Sequence, residues 1–235
     1  MNRFRYCLLI LSVFVFFSCD DKETANLSHS TYYVSFDIQG DNPLILQVGS
    51  EFTDPGVIAT LEGQDVTGDT NTDSNVDPDV MGMYKVVYSG INKDGFESKA
   101  IREVIVCNPS VETDISGDYH AADGTYRLYY PARETPYSGN NLSVKIEKVA
   151  PGFFSVSDFF AGYYAVRAGY GIRYAMTGYL ALNEDNTIDL VSSSIQGWGD
   201  SLDKMENAKY DPENGTIYWE VEYASAMTFY VNLTK

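Results

Sequence analysis

Histidine, cysteine and tryptophan are scarce in this chain of 235 residues, which has two, three and two of them. His29 and His120 are far apart in sequence, so a histidine-built metal centre has too few ligands. A Ser-His-Asp triad would have to use His120, and no Gly-x-Ser-x-Gly elbow accompanies it. Cys7 and Cys19 belong to the N-terminal stretch, which leaves Cys107 alone and without an intrachain disulfide partner. Basic residues are also few: 16 against 33 acids, a formal net charge of −17. Such a chain lacks the Lys and Arg patches that neutralise phosphate, which excludes a nucleic-acid binder. It is repelled by anionic lipid head groups as well. No apolar run reaches the ~20 residues that a membrane-spanning helix needs. Acids are numerous, so counting alone leaves open a glycosidase pair, which needs only two carboxyls about 5–9 Å apart. No motif has an arguable catalytic geometry, however, and the expectation is a protein that is not an enzyme, with no catalytic residues, metal or cofactor.

The longest apolar run, residues 6–17, follows Arg3 and Arg5 and precedes Ser18-Cys19-Asp20-Asp21-Lys22-Glu23. A positive segment, a short uncharged run and a small residue at its end are the pattern of a secretory signal peptide. Ser18-Cys19 resembles a bacterial lipobox, in which the cysteine becomes the lipid-bearing N-terminus, although Phe16 stands where leucine is more usual. The alternative is plain signal cleavage with Cys19 as an ordinary thiol. On the lipobox reading residues 1–18 are removed, Cys19 is the lipidation site, and residues 19–31 are a polar tether. The acids Asp20, Asp21 and Glu23 resemble the surface-export signal of Bacteroides-type lipoproteins; a charge-rich tether would look the same. Removal of residues 1–18 leaves 14 bases against 33 acids, a balance of −19. Lipid is then the plausible membrane attachment, and the expected location is the outer membrane, lipid-anchored and exposed at the cell surface.

About 215 residues remain, enough for one or two domains with real cores. Nineteen tyrosines and twelve phenylalanines, with many β-branched residues and glycines, point to strands. Residues 32–107 carry short strand-like runs at 8–12-residue spacing without helical periodicity, the pattern of a sandwich. Tyr84, Val86 and Tyr88 share one face of such a run, and 101–106 close the set. Cys107 ends a Val-Ile-Val run and reads as a buried strand residue rather than a nucleophile. Phe52-Thr53-Asp54-Pro55-Gly56-Val57, Gly82-x-Tyr84-x-Val86-x-Tyr88, Asp94-Gly95 and Arg102-Glu103-Val104-Ile105-Val106 together resemble bacterial surface Ig-like domains. That resemblance implies a spacer that holds another module off the membrane.

Asp69-x-Asn71-x-Asp73 has the oxygen spacing of a calcium loop, but Ser74 and Val80 stand where glycine and a bidentate glutamate are required. A solvated acidic loop over residues 65–79 is the better reading. Pro109 and the polar residues around it mark a linker over 108–114.

Residues 115–235 alternate in a two-residue period. Leu142, Val144 and Ile146 form one face, Ile217, Trp219, Val221 and Tyr223 another, and Met227, Phe229, Val231 and Leu233 a third. Ile172, Tyr174, Met176, Gly178, Leu180 and Leu182 read as one face of a long strand that ends at the turn Glu184-Asp185-Asn186. Each has one buried and one wet face, hence antiparallel pairing. The expected fold is all-β: an N-terminal Ig-like β-sandwich followed by a C-terminal antiparallel meander closed as a barrel or folded as a sandwich. Phe154-Ser155-Val156-Ser157-Asp158-Phe159-Phe160-Ala161-Gly162-Tyr163-Tyr164, Gly197-Trp198-Gly199-Asp200 and the run from Tyr210 to Trp219 resemble the C-terminal domain of Bacteroides-type surface lipoproteins of polysaccharide-utilisation systems. The resemblance implies surface glycan handling beside neighbouring glycan-uptake proteins, with a polysaccharide or oligosaccharide as the ligand.

Sugar rings present apolar C–H faces to aromatic rings, and their hydroxyls need carboxylates or amides. Trp219 is in phase with Ile217 and Val221 and reads as core. Trp198 lies between two glycines outside any strand period, so it is either an exposed ligand platform or a loop anchor. The candidate ligand-binding residues are therefore Trp198, Asp200, Tyr163, Tyr164 and Tyr170, with Tyr174 assigned to packing. The second reading is a structural or adhesion protein that binds protein partners, and the third a hydrolase.

Overall fold

A computed structural model describes residues 30–235, so Cys19, His29 and the stretch read as a signal peptide lie outside the described residues. The chain first builds two small sheets. β1 (Ser35–Ile38) pairs antiparallel with β3 (Val57–Leu61), which pairs with β4 (Gln64–Asp65). The facing sheet contains β2 (Leu44–Gln47), β5 (Asn71–Ser74), β6 (Gly82–Ile91) and β7 (Glu97–Cys107) in the order β2-β7-β6-β5, with β2 parallel to β7. The stretch read as an acidic loop departs from expectation here. Asn71–Ser74 is edge strand β5 on β6, with all four side chains exposed. Its polar residues suit an edge that must not recruit another chain.

The motif residues of this half meet in one buried network. Arg102 is fully buried and its Nε donates to Asp54 Oδ1 at 2.8 Å. Its other nitrogens donate to the carbonyls of Gln39, Asp41 and Gly56. The Tyr88 hydroxyl donates to the same Asp54 carboxylate at 2.7 Å. Val86, Val104 and Val106 complete the buried centre. The Asp-Pro-Gly turn is thereby bolted to the sheet beneath it, because a buried guanidinium requires a carboxylate and carbonyls at its donors.

Along β7 the alternation of burial stops at Val104, and every residue to Cys107 is buried. Both faces are covered there. Val104 and Val106 face the first core, and Ile105 and Cys107 pack with Ala150 and Phe153 of the next sheet. Burial pushes the Cys107 thiol pKa up, which leaves it an inert apolar side chain.

The second sheet is formed by β8 (Gly117–Ala121), β9 (Tyr126–Tyr129), β10 (Arg133–Pro136), β11 (Gly139–Ala150), β12 (Phe153–Val156), β13 (Met176–Leu182), β14 (Ile188–Ile195), β15 (Lys204–Asp211), β16 (Thr216–Tyr223) and β17 (Met227–Thr234). β11 to β14 form one meander and β15 to β17 another. β17 joins them by pairing with β8 through Leu233 and Thr234, and carries the β9-β10 hairpin through Met227 to Tyr230. The sheet curls into a half-barrel. Its edges β14 and β15 meet at a bridge from Thr187 to Lys209, and the Tyr210 N–H donates to the Asn186 carbonyl at 2.9 Å. Phe154, Met176, Leu180, Trp219, Phe229 and Val231 fill the interior. Trp219 has no exposed surface, and its indole N–H donates to the Phe159 carbonyl at 2.9 Å. Val111 and Ile115 are also buried in this core, so the segment preceding β8 contributes packing as well as connection.

The long strand expected to begin at Ile172 begins at Met176. Residues 163–167 form a π-helical turn and 172–174 a 3₁₀ turn. Gly162, Gly169 and Gly171 all have positive φ, between 75° and 89°, which ends strand geometry in this stretch.

Candidate functional site

The segment between β12 and β13 is organised by Asp158, whose carboxylate is buried inside it. Asp158 Oδ1 accepts the N–H of Phe160 at 2.9 Å and of Met176 at 3.0 Å, and Oδ2 accepts that of Gly162 at 2.9 Å. These bonds close residues 158–176 into one loop packed over the end of the half-barrel. Burial raises the Asp158 pKa to about 6, against the three N–H bonds that favour its charged form.

This loop presents aromatic rings to a second loop, 196–200, between β14 and β15. The two are tied by the Gly197 N–H, which donates to the Arg173 carbonyl at 2.7 Å. The glycines on either side of Trp198 have separate roles. A Cβ on Gly197 would lie 2.5 Å from the Tyr174 ring, so only glycine allows that close approach. Gly199 has φ of +77°, which turns the chain back towards Asp200.

Trp198 is 41% exposed and stands against four tyrosines. Its ring centroid lies 4.8 Å from Tyr174, 4.9 Å from Tyr164, 6.0 Å from Tyr170 and 6.1 Å from Tyr223. Tyr170, Tyr174 and Trp198 line an open slot of about 410 Å³. Tyr170 is 55% exposed. Tyr164 is buried beneath the slot, and Tyr163 is buried deeper, packed on Tyr137 and Phe229. Of the five candidate residues, the structure thus gathers Trp198 and Tyr170 at the surface with Tyr164 as their floor, and sets Tyr163 in the core below. Tyr174, assigned to packing, is half-buried against the core and is also a wall of the slot. Ile172, read as the same buried strand face, is 80% exposed. The glycines at 169 and 171 are the signal against a strand here.

Asp200 forms the polar side. Its Oδ2 accepts the Tyr223 hydroxyl at 2.8 Å. Burial and that carboxylate together push the Tyr223 pKa up, so the phenol stays a proton donor. Asp200, Asp203, Ser193, Ser194, Ser201 and Tyr223 line an adjoining polar hollow of about 620 Å³. Another hollow, of about 750 Å³, lies at the seam of β14 and β15 around Lys209 and Tyr218, away from Trp198. The Tyr218 hydroxyl in it is already engaged, donating to Glu220 at 2.6 Å. The Trp198 end combines exposed ring faces with a carboxylate and hydroxyls, and no three His, Cys, Asp or Glu side chains among the described residues converge as a metal site.

No helix of the described residues is long and apolar enough to cross a membrane. Residues 36–106 match the family described as "Bacterial surface protein, Ig-like domain". Residues 108–235, more than half of the chain, match a family described as "-like, C-terminal domain". No curated protein matches the chain. Among solved structures, the chain is similar to the lipoprotein BT2262 from Bacteroides thetaiotaomicron, with 36% identity over 86% of this chain and 100% of that one and a TM-score of 0.48. A structure of the catalytic domain and two CBM51 domains of Clostridium perfringens ZmpB aligns at 16% identity and a TM-score of 0.30 over 53% of this chain and 15% of that one, too little to carry any conclusion. By sequence identity and the domain match, the chain belongs to the BT2262-like lipoprotein family, with a bacterial surface Ig-like domain preceding the family's C-terminal domain.

Proposed function

We propose that the protein is a non-catalytic, glycan-binding surface lipoprotein. The Ig-like half is the spacer, and the Tyr170-Tyr174-Trp198 slot is the site. The observation that carries this reading is the slot itself: the rings of Tyr170, Tyr174 and Trp198 line one open hollow, with Tyr170 and Trp198 left exposed to solvent. Exposed apolar surface of this kind is costly unless it is used. A sugar stacked on Trp198 has the Asp200 carboxylate and the Tyr223 hydroxyl beside it, which suits hydroxyls that need both acceptors and donors. Supporting the anchor are the lipobox at Cys19 and the relative described as a lipoprotein. The outer membrane and neighbouring glycan-uptake proteins complete the proposed setting.

Affinity gels containing single polysaccharide classes test the site. Trp198→Ala is expected to abolish retardation of residues 20–235 at a cost of about 1–3 kcal/mol of binding, while the melting curve stays nearly unchanged. A variant that melts early yet binds as well per folded molecule would make Trp198 a packing anchor. Metabolic labelling with a palmitate analogue tests the anchor, and Cys19→Ala is expected to remove the label.

One observation favours a protein partner instead. Ile172 and Val166 are exposed beside the slot, at 80% and 46%, and aliphatic side chains offer sugars little. Loss of a pulled-down surface protein on Ile172→Ser, with glycan retardation intact, would support that second reading.

A further inference from the structure

Acidic residues outnumber basic ones two to one in this chain, yet from Phe159 to Asn183, a run of 25 residues, there is no acid at all and there are two arginines. This is the run that forms the tyrosine walls of the slot. Arg102, in the other half, has Asp54 at 2.8 Å. By contrast, among the described residues no carboxylate lies within ion-pair distance of Arg127, Arg167 or Arg173. Arg127 lies over the Tyr163 ring at 4.7 Å and Arg167 over the same ring at 5.2 Å. Their guanidinium carbons are therefore no more than about 10 Å apart. The Arg127 Nε is buried and has no hydrogen-bond partner. Arg167 and Arg173 are exposed and flank Tyr170 in the same loop. The acid inside this loop, Asp158, is occupied by the N–H groups of Phe160, Gly162 and Met176, and Asp200 and Asp203 are occupied by the Tyr223 hydroxyl and the Ser225 N–H.

Two like charges held on one ring without a counterion are unfavourable, and in so acidic a chain a neutralising Asp or Glu would be easily supplied. Their isolation leaves planar donor forks free for an anion from outside. We infer that this end of the domain takes a polysaccharide whose sugars carry carboxylates, with one sugar ring stacked on Tyr170 and Trp198 in the slot and uronate groups of neighbouring sugars paired to Arg173 and to Arg167, which lines a separate hollow with Tyr137, Ser138 and Leu142. The inference rests on the glycan reading above. The overall negative charge does not forbid it, because fields beyond about 8 Å are screened at 0.15 M salt and the arginines are in contact with the ligand.

The test uses polygalacturonate, the same polymer with its carboxyls reduced to alcohols, and dextran sulfate, each titrated into residues 20–235 at 0.15 M salt. Polygalacturonate is expected to bind, and carboxyl reduction and Arg167→Gln are each expected to weaken it about tenfold, as for loss of a charge-assisted hydrogen bond. Arg173→Gln, also on an exposed turn, is the second variant. Equal binding of the reduced polymer, still lost in Trp198→Ala, overturns the uronate assignment and leaves the glycan site standing. Binding of dextran sulfate alone overturns it in favour of sulfate. Failure of all three polymers overturns it outright; the glycan reading then falls only if the panel of neutral polysaccharides also passes unretarded.

Discussion

The two halves of the molecule solve the same problem with opposite chemistry. The main core of the Ig-like half is small, with Val86, Tyr88, Val104 and Val106 buried around an arginine with its carboxylate and carbonyls. The C-terminal half encloses a large apolar core with Trp219, Phe154, Phe159, Phe160 and Phe229 at its centre. A core held by one polar network specifies geometry with little apolar area, which suits a short spacer. A core rich in aromatics has rings to spare at its rim, and there the tyrosines pass without a break from Tyr163 in the interior to Tyr170 in solvent. The Trp198 slot is an outgrowth of this packing.

Substitutions at the two centres should break this comparison most sharply. Trp219→Ala removes the largest fully buried side chain and its bond to Phe159, and should cost about 3–5 kcal/mol in a denaturant titration. Arg102→Met should cost about 3 kcal/mol, because the Asp54 charge and three carbonyls lose their donor. Both tryptophans lie in the C-terminal half, so their fluorescence reads that half alone. With separate cores, Arg102→Met should lower the circular-dichroism midpoint and leave the fluorescence midpoint in place. A common shift would show that the small cluster of Ile105, Cys107, Ala150 and Phe153 couples them.

The pH response should differ as well. The Asp158 pKa is raised to about 6 in the folded chain against 3.8 in its absence. The folded state then holds the proton more tightly between those values, so stability falls as pH rises from about 4 to 6 and is level above. The whole effect is at most about 3 kcal/mol. Asp114, Asp185 and Asp211 are lowered by hydrogen bonds to neighbouring side chains and N–H groups. Their contribution has the opposite sign and is lost only below about pH 4, as pH falls through the folded values, which leaves the window of Asp158 clear. Fluorescence-monitored melts at pH 4, 5, 6 and 7 should show the decline in the wild type and not in Asp158→Asn. A flat wild-type profile would remove Asp158 as a titrating group. The smallest expected effect is Gly197→Ala. Its Cβ displaces Tyr174 and should weaken glycan binding about tenfold with little change in melting.

Strand periodicity was legible wherever one face is dry and the other wet. Met227, Phe229, Val231 and Leu233 alternate in sequence because they alternate in the sheet. The buried position of Trp219 follows from the same rule. The motif of Asp54, Tyr88 and Arg102 was visible as a pattern, but its cause, a buried ion pair closed by three carbonyls from two connections, exists only once distant segments meet. Local rules put Ile172 and Tyr174 on a strand because their spacing imitates one, while three glycines and the buried Asp158 carboxylate hold that stretch as turns; Tyr174 still packs against the core, and Ile172 does not. The prominence of Trp198 was readable from its two glycines. Its company was not, since Tyr164, Tyr170 and Tyr174 reach it from the loop between β12 and β13 and Tyr223 from the end of β16. Periodicity records which way a side chain faces along its own strand. Which loops share an end of a curled sheet, and which charges are left there without partners, is set by closure of that sheet between residues far apart in sequence.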